Sequence, residues 1–209
     1  MEIRWLPYKE VSAAWPRQGR HILATFSADE IVVYQAYRAE IADVAVARQR
    51  FDQPFSLQRM SWIKPNFLWM MYRSGWAGKP DQERVLAVHL PLARFHGLLA
   101  AAVWSTWQPH LHATSEAWSE AVGAGEVRLQ WDPDHGPRGN PVERRAIQLG
   151  MRGGVLRDYA LAWPLRIEDI TEQVHAQQRR IDAPETLLVP DERPLPVADP
   201  VVRQRLRLD

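Results

Sequence analysis

Lys64 is the residue whose type and setting most suggest chemistry. Only Lys9 and Lys79 accompany it as lysines, and the residues around it, from 62 to 69, are mostly apolar. An ammonium in apolar surroundings either extends to water or meets an anion, and burial makes the amine a weaker base. Two interpretations follow: a surface lysine at a helix end, or a phosphate ligand or amine with a depressed pKa.

Arg73 is a second candidate for phosphate or base recognition. It follows Trp69 by four residues and precedes Trp76 by three, so the three side chains share one helical stripe. Arginine and tryptophan both stack on planar groups, and the chain has ten Trp. The stripe faces either a nucleobase or the protein core, with the guanidinium on a buried carboxylate in the second case.

Arg144 and Gln148 lie four residues apart, with Arg152 one step further. The run Asn140-Pro-Val-Glu143 has the cap, first-turn proline and third-position glutamate of a capping box, which predicts a helix from Pro141 to about Gly150. A helix N-terminus beside Arg144 is a site for a phosphate. The alternative is a solvated charged face.

Asp134 and His135 lie in an irregular loop, residues 132 to 139, rich in Gly and Pro. Loops of this kind often carry sites, and the two side chains have the types of an acid-base pair. The spacing of the acidic residues imitates an EF-hand calcium loop. Gly136, however, stands where that loop has a ligand, and Pro137 stands where it needs a glycine, so calcium binding is excluded. The alternative role is to form Asx turns and caps.

Composition excludes several classes of protein. There is no Cys, so disulfides, thiolate catalysis and cysteine-ligated metals are excluded. A net charge of +1 gives no strong overall attraction to nucleic acid or membrane. P-loop, Rossmann, serine-hydrolase and zincin motifs are missing, and no metal site is expected. Without a signal peptide or an apolar run near 18 residues, we expect a cytoplasmic protein with no membrane contact.

Apolar periodicity predicts the elements that position these residues. Strands are predicted over residues 20–26, 30–37, 84–90 and 126–131, together in one central sheet. Helices are predicted over 39–50, within 61–76 with Pro65 in the first turn and Gly75 as the C-terminal cap, over 141–150, and from Asp169. The irregular alternation predicts an α+β domain with a mixed, mostly antiparallel sheet. It spans residues 1–182, and five prolines mark residues 183–209 as an extended or disordered tail.

Four stretches carry a resemblance to a known family. They are Glu30–Tyr37, Arg59–Trp76 with its Trp-Ile-Lys-Pro block, Gln82–Val88 and Arg145–Arg152. The chain resembles, over roughly residues 17 to 181, the family catalogued as domain of unknown function 4291. That family name implies no activity.

A second likeness is to the ADP-ribosyltransferase superfamily. Val33–Tyr37, ahead of the helix that begins at Ala39, is broadly similar to the early strand that leads into a helix there. The likeness implies a split, mostly antiparallel sheet around NAD as cofactor.

Together these observations predict an enzyme that handles a nucleotide, with ADP-ribosyl transfer from NAD to a nucleic acid or protein acceptor as the leading hypothesis. The alternative is a non-catalytic RNA or nucleotide-binding module. We expect one cleft in which Lys64 and Arg144 contact phosphates and Tyr34 stacks on a base, with Asp134 and His135 as the acid-base pair of the enzyme. The cleft would gather Tyr34, Lys64, Arg73, His135, Arg144 and Gln148.

Overall fold

Twelve strands and eight helices alternate irregularly in the computed structural model, which describes residues 1–209. The strands are β1 (Trp5–Pro7), β2 (Gly19–Arg20), β3 (Leu23–Ala24), β4 (Glu30–Tyr37), β5 (Ser61–Ile63), β6 (Arg84–Pro91), β7 (Val103–Trp104), β8 (Val127–His135), β9 (Pro141–Met151), β10 (Arg166–Asp169), β11 (Leu188–Pro190) and β12 (Arg193–Pro194). The helices are α1 (Tyr8–Ala13), α2 (Ala39–Arg48), α3 (Phe67–Ser74), α4 (Leu92–Ala101), α5 (Ser115–Ala124), α6 (Gly153–Leu161), α7 (Thr171–Gln178) and α8 (Pro200–Leu206).

Strand β4 is apolar on both faces because it separates two parts of the core. Ile31 and Val33 point into the larger cluster, with α2 and α4, whereas Val32 and Tyr34 point into the smaller one, with α3 and α7. β4 pairs antiparallel with β6, which pairs with β10 on its other edge. The strands predicted over residues 30–37 and 84–90 are therefore confirmed.

A long antiparallel hairpin, β8 with β9, forms the second sheet, which β2, β5 and β7 extend. The predicted helix over 141–150 is therefore wrong. Gly136 donates its backbone N–H to Asn140, and Gly139 adopts a φ of 78° that suits glycine. The residues from 136 to 140 thus reverse the chain between two strands instead of capping a helix.

Helix α3 is the short buried helix that the sequence predicts, with one shift at its start. The Asn66 side chain accepts the backbone N–H of Trp69 at 2.7 Å and so serves as the N-cap. Pro65 consequently precedes the helix instead of occupying its first turn. Gly75 ends the helix at a φ of 60°, as predicted.

The α+β class is confirmed, but the strands do not form one central sheet. Strands β4 and β6 belong to one sheet and β8 to another, while the predicted strand 20–26 is divided between β2, beside β9, and β3, beside β12. Backbone hydrogen bonds between Tyr34 and Lys64 connect β4 to the end of β5.

Residues 183–209 pack on the domain. β11 pairs with β1 and β12 with β3, and α8 follows with Asp199 as its N-cap. Leu187, Val189, Leu195 and Leu206 are buried. The prolines therefore produce an extended strap that runs across the surface, ending in a short helix. None of the eight helices has the length and apolar character that a membrane crossing needs.

Candidate functional site

A cleft of about 720 Å³ opens between β4, the segment that precedes α3, and the β8–β9 hairpin. Its size suits a small-molecule ligand. The lining is rich in cations and amides, and Asp81 is the one carboxylate residue in it. The charged and amide side chains of the lining are those of Gln35, Arg38, Arg59, Lys64, Arg73, Asp81, Gln82, Gln130 and Gln148.

Three of the four cations in the cleft have no acidic partner. Arg38 pairs with the exposed Glu40 at 3.1 Å. Arg73 donates to the neutral amide oxygen of Gln82 at 3.3 Å, and Arg59 makes no ion pair within the chain. An excess of positive charge in a concave surface attracts anions and concentrates them there.

Lys64 lies at the inner end of the cleft with 6% of its surface exposed. No protein carboxylate or hydrogen-bond acceptor meets its ammonium, which lies 5.0 Å from the centre of the Trp69 ring. Burial lowers the pKa of Lys64 to about 7, and the charge of Arg73 adds to this effect while Asp132 opposes it. The amine is therefore a much weaker base than that of an exposed lysine.

One wall of the cleft is built by two glutamines that face each other across the hairpin. Gln130 and Gln148 are direct cross-strand partners. Their amides donate to the two different oxygens of Asp132, at 2.8 and 2.7 Å. Neutral donors satisfy this carboxylate without cancelling its charge, so it remains the nearest acidic influence on Lys64.

Trp62 and Gln35 complete the cleft and are held rigidly. Trp62 is opposite Gly150 in the register of β5 and β9, and its ring occupies the space that a side chain at Gly150 would need, 2.9 Å from an ideal Cβ. Gln35 donates to Ser61 Oγ and the carbonyl of Trp62, and it accepts a hydrogen bond from Tyr159 at 2.5 Å. Fixed walls of this kind preorganise a binding site.

Asp134 and Arg144 form a separate buried ion pair outside the cleft. Arg144 Nε donates to Asp134 Oδ2 at 2.8 Å, and its Nη1 donates to the carbonyl of Pro16 at 2.6 Å. The guanidinium also lies 5.2 Å from the centre of the Trp15 ring. Arg144 is on a strand, and Asp134 and Pro16 accept its hydrogen bonds, so the helix N-terminus on which the predicted phosphate site depended is absent.

His135 neighbours this pair without forming an acid-base dyad with Asp134. Asp134 accepts the backbone N–H of His135 at 2.7 Å, not a ring nitrogen. The imidazole stacks on Tyr72 at 3.5 Å, and its Nδ1 is buried without a partner. Burial lowers the pKa of His135 and raises that of Asp134, the latter against the opposing effect of Arg144.

The structure thus divides the residues that were expected to converge. Lys64, Arg73 and Gln148 line the cleft, whereas Asp134, His135 and Arg144 lie at the turn end of the hairpin. Tyr34 is fully buried in the smaller core, edge-on to Phe67 at 5.5 Å, so its ring has no face free for a base.

Sequence reasoning missed Gln35, Arg59 and Gln130 in the cleft, and also Asp132, which accepts hydrogen bonds from Gln130 and Gln148. One signal for the glutamines was present: Gln35, Gln130 and Gln148 each interrupt an apolar strand. A buried amide needs hydrogen-bond partners, so polar residues at such places indicate a shared polar wall.

A family model matches most of the chain. A family model described as Domain of unknown function (DUF4291) matches residues 21–195. No curated protein matches the sequence. Within the structure, no group of three His, Asp or Glu side chains is close enough to hold a metal ion.

Proposed function

The chain belongs to the DUF4291 family, and because that description names no activity, we propose from the geometry of the cleft that the protein binds a phosphate-bearing nucleotide there. One observation carries the proposal: Arg59 and Arg73 share a cleft and lack acidic partners. Unpaired cations in a concave site are best compensated by a multiply charged anion.

Each part of a nucleotide finds suitable chemistry in the cleft. Arg59 and Arg73 offer planar guanidinium groups, each of which can donate two parallel hydrogen bonds to two oxygens of one phosphate. Trp62 supplies an aromatic ring fixed over Gly150, on which a base can stack. Gln82, whose amide already contacts Arg73, offers donors and acceptors for a ribose or base edge.

The same charges bear on the transferase hypothesis. Transfer of ADP-ribose from NAD develops positive charge on the ribose C1′ as the nicotinamide leaves, as in glycoside hydrolysis. The phosphates of NAD fit the cationic cleft, but a cation that develops on the ribose needs negative charge beside it. Asp81 is the one lining residue that could supply that charge. We therefore favour the non-catalytic nucleotide-binding module over ADP-ribosyl transfer.

Calorimetric titration with ADP, ADP-ribose and adenosine at a fixed, low salt concentration tests the proposal. ADP and ADP-ribose should bind saturably and adenosine should not, with affinity falling as salt rises. Arg59→Gln should weaken ADP binding by about tenfold or more, since a hydrogen bond to a charged group contributes roughly 1.5–3 kcal/mol. Arg157→Gln is the matched control, because it removes the same charge from an exposed residue of α6.

Absence of saturable binding by any phosphate-bearing nucleotide, or equal effects of Arg59→Gln and Arg157→Gln, would overturn the proposal. Nicotinamide release from NAD distinguishes the two forms of the function. Binding without release supports the module, whereas release that depends on Arg59 and Arg73 would restore the transferase hypothesis.

A further inference from the structure

Lys64 differs from the other cations of the cleft in a way that phosphate binding does not explain. Arg59 and Arg73 retain a full charge, as guanidinium groups do at all ordinary pH values. The Lys64 amine is buried against the Trp69 ring and meets no acid, conditions that favour its neutral form. A neutral amine is a poor ligand for phosphate but a good nucleophile.

Backbone hydrogen bonds fix the place from which the Lys64 side chain extends. Tyr34 N donates to the carbonyl of Lys64 at 2.7 Å, and Lys64 N donates back to Tyr34 at 3.3 Å. Pro65 then restricts the chain, and Asn66 begins the capped helix α3. From this anchored position the Lys64 side chain is buried and lines the cleft.

The charged groups around Lys64 favour the same state of the amine. Arg73 lowers its pKa and Asp132 raises it, while burial is the largest cause of a value of about 7. Arg59 and Asp81 also line the cleft. A desolvated lysine beside another cation is the arrangement that activates lysine for attack on carbonyl carbons.

We propose that the Nζ of Lys64 forms an imine with the C1′ aldehyde of a base-free ribose 5-phosphate unit bound in the cleft. The inference rests on the proposed function, since the phosphate would occupy the site of Arg59 and Arg73. When a nucleotide has lost its base, its ribose opens to an aldehyde, which is the electrophile that a phosphate-binding cleft with a free amine would select. Free ribose 5-phosphate and ADP-ribose carry the same chemistry.

The step balances without a further reactant. The lone pair of Nζ attacks C1′, and the former carbonyl oxygen takes up a proton to give a carbinolamine. Nζ loses one proton in forming the carbinolamine. The hydroxyl then leaves as water after taking up a single proton from solvent, which gives the protonated imine. The carbon is neither oxidised nor reduced overall. Water can reverse the reaction, so the adduct is captured by adding hydride.

Reductive trapping tests the inference on the intact protein. The protein is incubated at pH 7 with ribose 5-phosphate, ADP-ribose or unphosphorylated ribose, together with cyanoborohydride, and the adducts are mapped by mass spectrometry. Lys9 and Lys79 are internal controls because both are exposed. Lys64 should be labelled at least tenfold faster than either control, and faster by phosphate-bearing sugars than by ribose. The relative rates of the two phosphate-bearing sugars identify the preferred source.

Three variants complete the test. Lys64→Arg should remove the adduct while a melting curve reports whether the fold persists. Arg59→Gln keeps Lys64 and should reduce its labelling by ribose 5-phosphate about tenfold, toward the rate with ribose, so the inference stays testable if Lys64→Arg fails to fold. Lys79→Arg should leave the labelling of Lys64 unchanged.

Equal labelling of the three lysines, or no labelling of Lys64 in a protein that binds ADP, would overturn the inference and leave the proposed function intact. ADP carries no aldehyde, so its failure to bind contradicts the proposed function independently of the trapping result. Labelling of Lys64 at the same rate by ribose and ribose 5-phosphate would show a reactive amine without the phosphate site, which also contradicts the inference.

Discussion

Gln130 and Gln148 face each other across the β8–β9 hairpin, and each donates its amide to a different oxygen of Asp132. The arrangement follows from strand geometry, because Asp132 is two residues beyond Gln130 and lies on the same face of β8. The amides hold the carboxylate in place but leave its charge unneutralised. Asp132 therefore acts on Lys64 through space as the one group that raises the pKa of its amine.

The first prediction concerns this long-range effect. Asp132→Asn should lower the pKa of Lys64 below its value of about 7. The substitution removes the one charge that raises this pKa, while burial and the charge of Arg73, which both lower it, remain. The pH profile of Lys64 modification by a small amine-reactive ester, followed by mass spectrometry, measures this pKa. Asp81→Asn is the control, since Asp81 lines the cleft but is not among the groups that shift Lys64. Identical profiles for wild type and Asp132→Asn would show that Asp132 does not act on the amine.

The second prediction links Lys64 to the pH dependence of stability. Its pKa is 10.5 in an unfolded chain and about 7 in the folded one. Between these values the unfolded state binds the extra proton, so the free energy of unfolding rises with pH by up to about 1.4 kcal/mol per unit from this group. Below pH 7 the amine is charged in both states, so the folded state bears the whole cost of burying that charge.

Lys64→Met removes that penalty. Relative to wild type, the variant should be most stabilised at pH 6 and progressively less so at pH 8 and 10, in urea unfolding experiments. Lys79→Met, at an exposed lysine, should differ from wild type by an amount that does not depend on pH. A Lys64→Met difference that grows with pH would mean that Lys64 is charged and satisfied in the folded protein.

Local sequence signals predicted those elements whose ends are determined locally. The apolar run of Ile31 to Tyr34 indicates a strand in any context in which both faces are buried, and Gly75 marks a helix end by its backbone freedom alone. Asn140 was misinterpreted because the same residues that cap a helix also suit a hairpin turn. Only the pairing of β8 with β9 decides between the two.

The candidate site was predicted in part for the same reason. Lys64 and Arg73 stand in one continuous segment with α3, so their proximity is local. The meeting of Gln130 with Gln148 depends on register, which spacing along the chain does not reveal. Arg144 was predicted to bind the phosphate because it stood beside a predicted helix N-terminus. Its actual partner, Asp134, lies ten residues earlier and meets it across the hairpin.

The third prediction concerns His89, whose two ring nitrogens both face carboxylates. Nδ1 contacts Glu30, and Nε2 contacts Glu168 at 2.6 Å, while the ring itself is fully buried. Burial alone would raise the pKa of Glu30, but hydrogen bonds from the amino group of Met1 and from His89 lower it below its usual value. The cluster therefore stabilises the fold above the usual pKa of Glu30, and this stabilisation is lost as the carboxylate protonates in acid.

His89→Leu should lower the free energy of unfolding at pH 7 by about 1.5–3 kcal/mol, the range for a hydrogen bond to a charged group. The loss relative to wild type should shrink toward pH 3, in denaturant titrations across that range. His175→Leu, at an exposed position of α7, should change stability by less than about 0.5 kcal/mol. An equal loss at pH 7 and pH 3 would assign the effect to packing instead of charge.

The last prediction concerns Glu192, which connects the C-terminal strap to the helix of the candidate site. Its buried carboxyl accepts the backbone N–H of Phe67, the first residue of α3, at 2.6 Å. Burial raises the pKa of Glu192 well above its usual value, against the opposing hydrogen bond from Phe67, and the charge of Asp134 adds to the rise. As pH increases above the usual pKa of 4.5, the unfolded chain ionises first, so this group makes the protein less stable with rising pH.

Glu192→Gln keeps an oxygen for the Phe67 N–H but cannot ionise, so the variant avoids this loss. The melting temperature of the variant minus that of wild type should therefore increase from pH 4.5 to pH 7.5. Glu185→Gln provides the matched control, because Glu185 is exposed in the same strap, and its difference from wild type should stay constant over that range. If the Glu192→Gln difference instead falls as pH rises, the folded protein holds Glu192 as a stabilised anion. The carboxyl would then anchor α3 by charge, and ionisation would strengthen the connection between the strap and the segment that carries Lys64.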